Sequence, residues 1–143
     1  MNALVDTSVW SLALRRTPKA LTAAEQSVVS ELADLTREGR ARIVGLIRQE
    51  LLSGIRAPAQ YDKLRLALRA FPNVPVETAD YEAAAKASND CRSRGVTASV
   101  ADALICAIAL TRRWSIFTTD PDFRKYAKVL SIQLHAPRSA RLG

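Results

Sequence analysis

The sequence is poor in the residues used for thiol or histidine chemistry. Its 143 residues include two cysteines, Cys91 and Cys106, and a single histidine, His135. The cysteines form no CxxC motif or Cys/His cluster, which disfavours a zinc site, and both are predicted to be small packing residues of helices. Because the one histidine lies close to the C-terminus, a mechanism that needs a central catalytic histidine is also disfavoured.

Long apolar runs are missing as well. No hydrophobic stretch reaches the roughly 18 residues of a membrane-spanning helix. The first such stretch is too short for a signal peptide and is interrupted by Asp6. We therefore expect a cytoplasmic protein. The length suits one domain, which we place at residues 1–135, followed by a flexible tail at residues 136–143.

Positive charge is in excess. Lysine and arginine number 21 against 14 aspartates and glutamates, which gives a net charge of +7, and 16 of the 21 basic residues are arginine. The planar guanidinium group matches the geometry of phosphate, so this composition favours a polyanionic partner. Aromatic residues make up only 6% of the chain, so few side chains are available to stack on bases.

Short apolar segments alternate with helical patterns along the chain. The segments "NALV", "ARIVGL" and "WSIFTT" are predicted strands, "NVPVE" is a brief candidate weakened by Pro75, and "KVLSI" is a possible fifth strand. The helix "VADALICAIALTRR", which Ser99 opens, is apolar on almost every side and should be buried. This alternation predicts an α/β fold with a parallel sheet covered on both faces.

Two acids follow predicted strands. Asp6 ends the first strand and Asp120 follows "WSIFTT", so both are expected at the carboxyl edge of the sheet, where sites form. Either acid could instead cap the helix that follows it. Thr7 and Ser8 could cap the first helix equally well, which would free Asp6 for a site. Asp122 could favour a helix dipole or join the site.

Two further acids lie on helices with apolar faces. Glu50 falls on the apolar side of a helical wheel, where a carboxylate is costly unless it binds a cation or pairs with an arginine such as Arg48 or Arg56. Asp102 projects from the almost wholly apolar helix. Its spacing from Ser99 also fits a capping box, and acids favour the first turn of a helix.

Carboxylates that converge from four segments would repel one another. A divalent cation removes this repulsion, and hard oxygen ligands suit Mg²⁺ or Mn²⁺. One or two such ions can activate a water and stabilise the leaving oxygen during phosphodiester cleavage. The arginine-rich surface would then hold the polyanion on either side of the acids.

The segments that carry these acids resemble the four acidic blocks of PIN-domain nucleases. The blocks are "LVDTSVW", "RQELLSG", "VADALICAIAL" and "IFTTDPDF", and the resemblance runs from Asn2 to about Gln133. The size and the block spacing are most similar to the VapC-type toxins of bacterial toxin–antitoxin modules. The set of four blocks is specific, whereas any one block alone would be weak evidence.

The resemblance implies a three-layer α/β/α sandwich around a parallel sheet of four or five strands. It also implies a site for Mg²⁺ or Mn²⁺ built from four acids: Asp6, Glu50, Asp102 and Asp120. Ser8 and Thr118 match polar positions that support the ligands. Asp122 matches an additional acid that some members carry, and the "DPD" pattern leaves open which of its two acids is the nearer ligand.

The activity implied by the resemblance is metal-dependent endoribonuclease cleavage, in which an activated water attacks the phosphorus in line. The chain would be the toxin of its module, would cleave RNA and would form a homodimer. A cognate antitoxin would bind it and block the site. Arg15, Arg16 and Lys19 could face either the RNA or the antitoxin.

Other functions stay open at this point. A nucleic-acid-binding domain of the same fold without catalysis would be expected to have lost an acid, and this chain keeps all four. A phosphohydrolase of the HAD type would need DxDxT after the first strand, where this sequence reads "DTSVW". A DNA nuclease is harder to distinguish from a ribonuclease, because the chemistry of the site does not involve the 2′-hydroxyl.

Overall fold

In the computed structural model, four short parallel strands form the central sheet. The strands β1 (Ala3–Val5), β2 (Ala41–Arg42), β3 (Ser115–Phe117) and β4 (Gln133–Leu134) lie in the order β2-β1-β3-β4. The structure describes residues 1–15 and 17–141, so Arg16, one of the predicted contact residues, lies outside the described residues. The sheet agrees with the predicted number of four to five parallel strands.

Helices connect the strands and cover the sheet. They are α1 (Thr7–Leu14), α2 (Ala23–Arg37), α3 (Gly45–Leu52), α4 (Pro58–Leu68), α5 (Thr78–Ser93), α6 (Val100–Arg112), α7 (Asp122–Ala127) and α8 (Arg138–Arg141), with a 3₁₀ turn at Pro18–Ala20. Leu4 and Val5 point to opposite faces of the sheet and neither is exposed, so both faces are covered. This confirms the α/β/α sandwich. Within the described ranges, no helix is long and apolar enough to cross a membrane.

Helix α6 is the buried helix that the sequence predicts. Every residue from Ala103 to Ala109 is buried, and α5 packs along it. The hydroxyl of Ser99 accepts a hydrogen bond from the backbone N–H of Asp102 at 3.1 Å, which places Asp102 in the first turn. At the other end, Arg112 pairs with the buried Asp80 of α5 at 3.0 Å. The helix is therefore held at both ends.

The segment "NVPVE" is wrong as a strand. It makes a single bridge, between Asn73 and Ile43. Pro75 has no N–H to donate to a ladder, and its carbonyl accepts a hydrogen bond from Arg112 instead. The chain therefore passes this edge of the sheet without extending it.

The segment "KVLSI" is also wrong as a strand, although a strand follows it. The backbone N–H groups of Val129 and Leu130 donate to the carbonyl of Tyr126, so these residues complete the end of α7. β4 begins only at Gln133, where the chain is free of the helix and pairs with β3.

The segment predicted to be a flexible tail contains α8. Arg138 binds Glu31 of α2 through Nε, at 3.0 and 3.1 Å, and reaches Glu38 at 2.8 Å. His135, just after β4, contacts the same Glu31 carboxylate at 2.7 Å. The first part of the tail is therefore docked on α2, and flexibility beyond this contact stays a prediction.

The strand order opens a crevice between β1 and β3. The chain leaves β1 toward β2 on one side, and it leaves β3 toward β4 on the other. Ligands of open α/β sheets bind where the connections of neighbouring strands diverge in this way. Asp6 directly follows β1 and Thr118 directly follows β3, so these two predicted site residues lie at this crevice.

Candidate metal centre

Three carboxylates meet beside the crevice. Asp102, Asp120 and Asp122 each present an oxygen, and these oxygens lie within 4.8 Å of one another. Asp102 comes from the first turn of α6, whereas the other two stand at the start of α7. The backbone N–H of Asp122 donates to Oδ1 of Asp120 at 2.9 Å, which gives Asp120 a capping contact with α7. Both acids of the "DPD" segment therefore belong to the cluster.

Asp6 is fixed at the junction of the two central strands. It is only 6% exposed, and its Oδ2 accepts hydrogen bonds from Ser8 Oγ and Thr118 Oγ1, both at 2.8 Å. Its backbone N–H donates to the carbonyl of Phe117 at 2.9 Å, which holds the end of β1 against β3. Two hydroxyl groups thus orient one carboxylate oxygen.

The same two hydroxyls hold the loop that carries Asp120. Ser8 Oγ accepts the backbone N–H of Thr119, and Thr118 Oγ1 accepts the backbone N–H of Asp120, each at 3.0 Å. Each hydroxyl therefore donates to Asp6 and accepts from the loop after β3. These hydrogen bonds fix the position of Asp6, which follows β1, relative to the loop that carries Asp120 after β3.

The prediction that Thr7 and Ser8 would cap α1 in place of Asp6 is wrong. Asp6 is itself the N-cap, and its Oδ2 accepts the backbone N–H of Ser8 at 3.4 Å. Its backbone is extended, with φ −80° and ψ 159°, as an N-cap requires. Asp6 therefore takes the capping role, while its membership of the acidic site stays a prediction, because the cluster of three carboxylates consists of Asp102, Asp120 and Asp122.

Glu50 is hydrogen-bonded to Thr7, the residue that follows Asp6 in the chain. The hydroxyl of Thr7 donates to Oε2 of Glu50 at 2.6 Å. Glu50 is exposed, contrary to the prediction that it lies on an apolar face. Only Ile47 and Leu51 of α3 are buried, so the apolar stripe is narrow and Glu50 stands outside it.

The arginine that the sequence offers as a partner for Glu50 points elsewhere. Arg48 is half-buried, and its guanidinium donates to the carbonyls of Leu68 and Phe71 and to the side chain of Asn73. Burial lowers the pKa of Arg48, with a smaller contribution from the charge of Arg69. Arg48 therefore anchors the loop after α4 instead of pairing with Glu50.

Asp102 has a raised pKa. Burial is the largest cause. The hydroxyl of Tyr126 donates to its Oδ2 at 2.6 Å and lowers the pKa in part, while the charges of Asp6 and Asp120 raise it further. Burial and the two neighbouring carboxylates thus outweigh the hydrogen bond from Tyr126, and the pKa of Asp102 lies above its ordinary value.

Tyr126 and Thr7 are site residues that the sequence interpretation missed. Tyr126 is only 2% exposed. Burial and the Asp102 carboxylate raise the pKa of its hydroxyl, which therefore keeps its proton and donates. The sequence does contain a signal for each residue. Tyr126 lies four residues after Asp122 and so on the same face of the helix, and Thr7 directly follows Asp6.

The cluster of Asp102, Asp120 and Asp122 fits a divalent cation. All three side chains offer carboxylate oxygens, which are the ligands of Mg²⁺ and Mn²⁺. Asp6 caps α1, Asp102 lies in the first turn of α6, and Asp122 lies in the first turn of α7. The positive ends of these helices offset about 0.3–1 kcal/mol of repulsion each. Lys125 lies 3.5 Å from Asp122 at the exposed rim. In the described part of the chain, no lysine or arginine pairs with the more enclosed Asp6, Asp102 or Asp120.

Comparisons with known proteins agree with this geometry. The PIN domain family matches residues 3–129. The chain is 30% identical over 132 residues to VapC ribonuclease Mb1587 of Mycobacterium bovis and to Ribonuclease VapC11 of Mycobacterium tuberculosis, covering 91% of this chain and 95% of each relative.

Solved structures share the fold at lower identity. FitAcB from Neisseria gonorrhoeae superposes with a TM-score of 0.74 at 20% identity, covering 95% of this chain and 98% of that one. VapBC2 from Rickettsia felis, bound to a DNA fragment from its promoter, gives a TM-score of 0.72 at 15% identity, with 94% and 98% covered. Fold, family match and relatives agree, and the chain belongs to the PIN-domain family, within its VapC branch.

Proposed function

We propose that the chain is a Mg²⁺- or Mn²⁺-dependent endoribonuclease and the toxin of a type II toxin–antitoxin pair. The observation that carries the proposal is the meeting of three carboxylate oxygens within 4.8 Å at the crevice between β1 and β3. The relatives at 30% identity are named ribonucleases, which supports RNA as the substrate. The acids that we assign to catalysis and metal binding are Asp6, Glu50, Asp102 and Asp120, with Asp122 as a further ligand.

The residues of the chain have separate tasks in this proposal. A divalent cation bound among the acids would supply the Lewis acidity that activates water and stabilises the leaving oxygen. Asp102 and the two acids of α7 offer their oxygens to it from opposite helices. Ser8 and Thr118 hold Asp6 in one orientation, and we assign the exposed Glu50 to the same acidic set.

The charge around the acids suits a phosphate backbone. Arg124, Lys125 and Lys128 are exposed on or just after α7, next to Asp122. The chain as a whole carries a net charge of +7. Exposed cations that flank an acidic centre hold a polyanion in place while its phosphodiester reaches the acids.

The decisive experiment compares RNA and DNA of one sequence as single strands, with Mg²⁺, Mn²⁺ or EDTA. We expect cleavage of RNA only in the presence of metal, and loss of cleavage in Asp102→Asn with its circular dichroism spectrum unchanged. Asp90→Asn, at an exposed position of α5, serves as the matched control. Cleavage by Asp102→Asn at the wild-type rate would contradict the metal site.

The two alternatives give different results in the same assay. Equal cleavage of DNA and RNA would favour a nuclease without preference for the 2′-hydroxyl. Binding of RNA without cleavage at any metal concentration would favour a non-catalytic binding domain. Each result is measured with the same purified chain.

The antitoxin part of the proposal has its own support. Structures with this fold include the complexes FitAB bound to DNA and VapBC-5 from Mycobacterium tuberculosis, described as a member of a toxin–antitoxin family. We expect induced expression in the cytoplasm to arrest growth, Asp102→Asn to be harmless, and co-expression of a short neighbouring gene to restore growth. A harmless wild-type chain would contradict the toxin role. The nuclease assay alone would then decide whether the chain cleaves RNA.

A homodimer also belongs to the proposal, through the groove between α3, α5 and α6. This groove has a volume of about 710 Å³ and its described lining carries no charged side chain. Val100 and Tyr81 at its rim are 85% and 58% exposed. Because each chain carries a charge of +7, two copies approach with least repulsion where no charge is present, so we assign the groove to a second copy.

The dimer is tested by light scattering after size exclusion. We expect the mass of two chains for the wild type and of one chain for Val100→Asp, which keeps the fold because an acid suits the start of α6. Leu66→Asp, at a 61% exposed position of α4, is the matched control and should stay dimeric. A monomeric wild type would contradict this part of the proposal.

A further inference from the structure

A tyrosine from the core reaches the acidic centre. Tyr126 is 2% exposed, and its ring packs edge-on against Phe123 with centroids 5.2 Å apart. Its hydroxyl nevertheless donates to Oδ2 of Asp102 at 2.6 Å. The ring is fixed by packing, so the position of the hydroxyl is fixed as well.

This hydrogen bond joins the two helices that supply the ligands. Tyr126 lies on α7, four residues after Asp122 and on the same face, and Asp102 lies in the first turn of α6. One contact therefore connects the helix that starts with Asp120 and Asp122 to the helix that carries Asp102. The spacing of the three carboxylates depends on the relative position of these helices.

The contact also distinguishes the two oxygens of Asp102. Oδ2 accepts the short hydrogen bond from Tyr126, whose hydroxyl donates to this oxygen and not to Oδ1. The hydrogen bond restricts the rotation of the carboxylate group. Partners that orient a ligand affect metal affinity nearly as strongly as the ligands themselves.

We propose that Tyr126 is a positioning residue of the metal centre, which acts by holding Oδ2 of Asp102 and by fixing α7 against α6. This inference rests on the proposed metal-dependent function and adds a residue to it. A merely structural role, in which Asp102 satisfies the polar end of a buried tyrosine, gives the same contact. The two roles differ in what happens to metal binding when the hydroxyl is removed.

The first test is Mn²⁺ binding by calorimetry, without RNA, to the purified chain and to Tyr126→Phe. The substitution removes one oxygen and keeps the packing of the ring. We expect affinity for Mn²⁺ to fall about 10–100-fold. Tyr61→Phe, which alters a tyrosine at an exposed position of α4, is the matched control and should bind as the wild type does.

Substitution by p-aminophenylalanine separates positioning from structure. This side chain keeps an N–H donor at the same place, so we expect it to restore most of the lost affinity. Wild-type affinity in Tyr126→Phe, or no recovery with p-aminophenylalanine, would overturn the inference and leave the proposed function standing. Failure of the wild-type chain to bind Mn²⁺ would overturn both.

A second measurement needs no variant that has to fold with an altered core. The chain has three tyrosines, so labelling with 3-fluorotyrosine gives three fluorine resonances. Titration with Mg²⁺ should shift the resonance of Tyr126 with the midpoint of metal binding and leave those of the exposed Tyr61 and Tyr81 in place. A Tyr126 resonance that does not move at saturation would also overturn the inference.

Discussion

The hydroxyl of Thr118 donates a hydrogen bond of 2.8 Å to Oδ2 of Asp6, across the two central strands of the sheet. The hydroxyl oxygen of Thr118 also accepts the backbone N–H of Asp120 at 3.0 Å. Thr118→Val keeps the shape of the side chain and removes both hydrogen bonds. We expect Mn²⁺ affinity to fall about tenfold or more, as measured by calorimetry.

Two controls accompany this prediction. Thr118→Ser keeps the hydroxyl and should bind Mn²⁺ much as the wild type does. Thr111→Val removes a hydroxyl that donates to the carbonyl of Ala107 within α6, and should leave Mn²⁺ binding unchanged. Equal effects of the two valine substitutions would show that the loss at Thr118 is not specific to the site.

Glu50 and Thr7 provide a second prediction. The hydroxyl of Thr7 holds Oε2 of Glu50 at 2.6 Å, so Thr7→Val frees the glutamate without removing it. We expect RNA cleavage to fall about tenfold in Thr7→Val and further in Glu50→Gln. Glu82→Gln, at an exposed position of α5, should retain full activity. A fully active Glu50→Gln would exclude Glu50 from the catalytic set.

The pair of Arg112 and Asp80 gives a prediction for stability. Arg112→Ala leaves the buried carboxylate of Asp80 without its partner, and we expect a loss of about 3 kcal/mol in the free energy of unfolding. Arg65→Ala breaks an exposed pair with Asp62 and should cost less than about 1 kcal/mol. Urea denaturation at neutral pH measures both. Losses of equal size would contradict the importance of burial.

The same pair fixes a dependence on pH. The hydrogen bonds from Arg112 hold the pKa of Asp80 below its ordinary value of 3.8. A carboxyl group whose pKa is lowered by folding stabilises the fold above its unfolded pKa, and this contribution is lost as the pH falls through the lower folded value. The difference between wild type and Arg112→Ala should therefore be largest at neutral pH and shrink below pH 3.8.

The contact of Arg138 with Glu31 predicts acid-sensitive docking of the tail. Burial raises the pKa of Glu31, but the hydrogen bonds from His135 and Arg138 outweigh it, so the pKa lies below its ordinary value of 4.5. The contact is therefore present above pH 4.5 and is lost as the pH falls below that value. Hydrogen exchange of residues 133–141 should accelerate in acid.

The arginine itself can be tested at neutral pH. Arg138→Ala should accelerate exchange of residues 133–141, because it removes the contacts with Glu31 and Glu38. Arg37→Ala breaks only an exposed pair with Asp34 and should leave this exchange unchanged. Unchanged exchange in Arg138→Ala would show that the ion pairs do not hold the tail.

The sequence predicts those features that depend on chain-local patterns. The buried strands β1 and β3, the buried helix α6 with its Ser99 cap, and the acids at the ends of the strands all follow from hydrophobicity and capping preference. The location of β4 does not follow from these patterns, because it depends on the residue at which α7 ends. Nothing in the five residues of "KVLSI" shows that Val129 and Leu130 still bond to Tyr126.

Side-chain partners are the other part that the sequence leaves open. A helical wheel assigns Glu50 to a face but does not say how wide the buried stripe is, and α3 buries only Ile47 and Leu51. Ser8 holds Asp6 from two residues away, but Thr7 reaches Glu50 from 43 positions away and Tyr126 reaches Asp102 from the core. Such contacts follow from the packing of helices, which local periodicity does not encode.

The position of β3 has a consequence for the synthesis of the protein. β3 lies beside β1 in the middle of the sheet, yet it comes from residues 115–117 of 143. A growing chain can pair β1 only with β2 until these residues leave the ribosome, and Asp120 follows later still. Translation takes of order ten seconds at the usual elongation rates, and the acidic centre is absent for most of it. A nascent chain that has not yet exposed β3 and Asp120 therefore lacks the acidic centre to which we assign the cleavage of RNA.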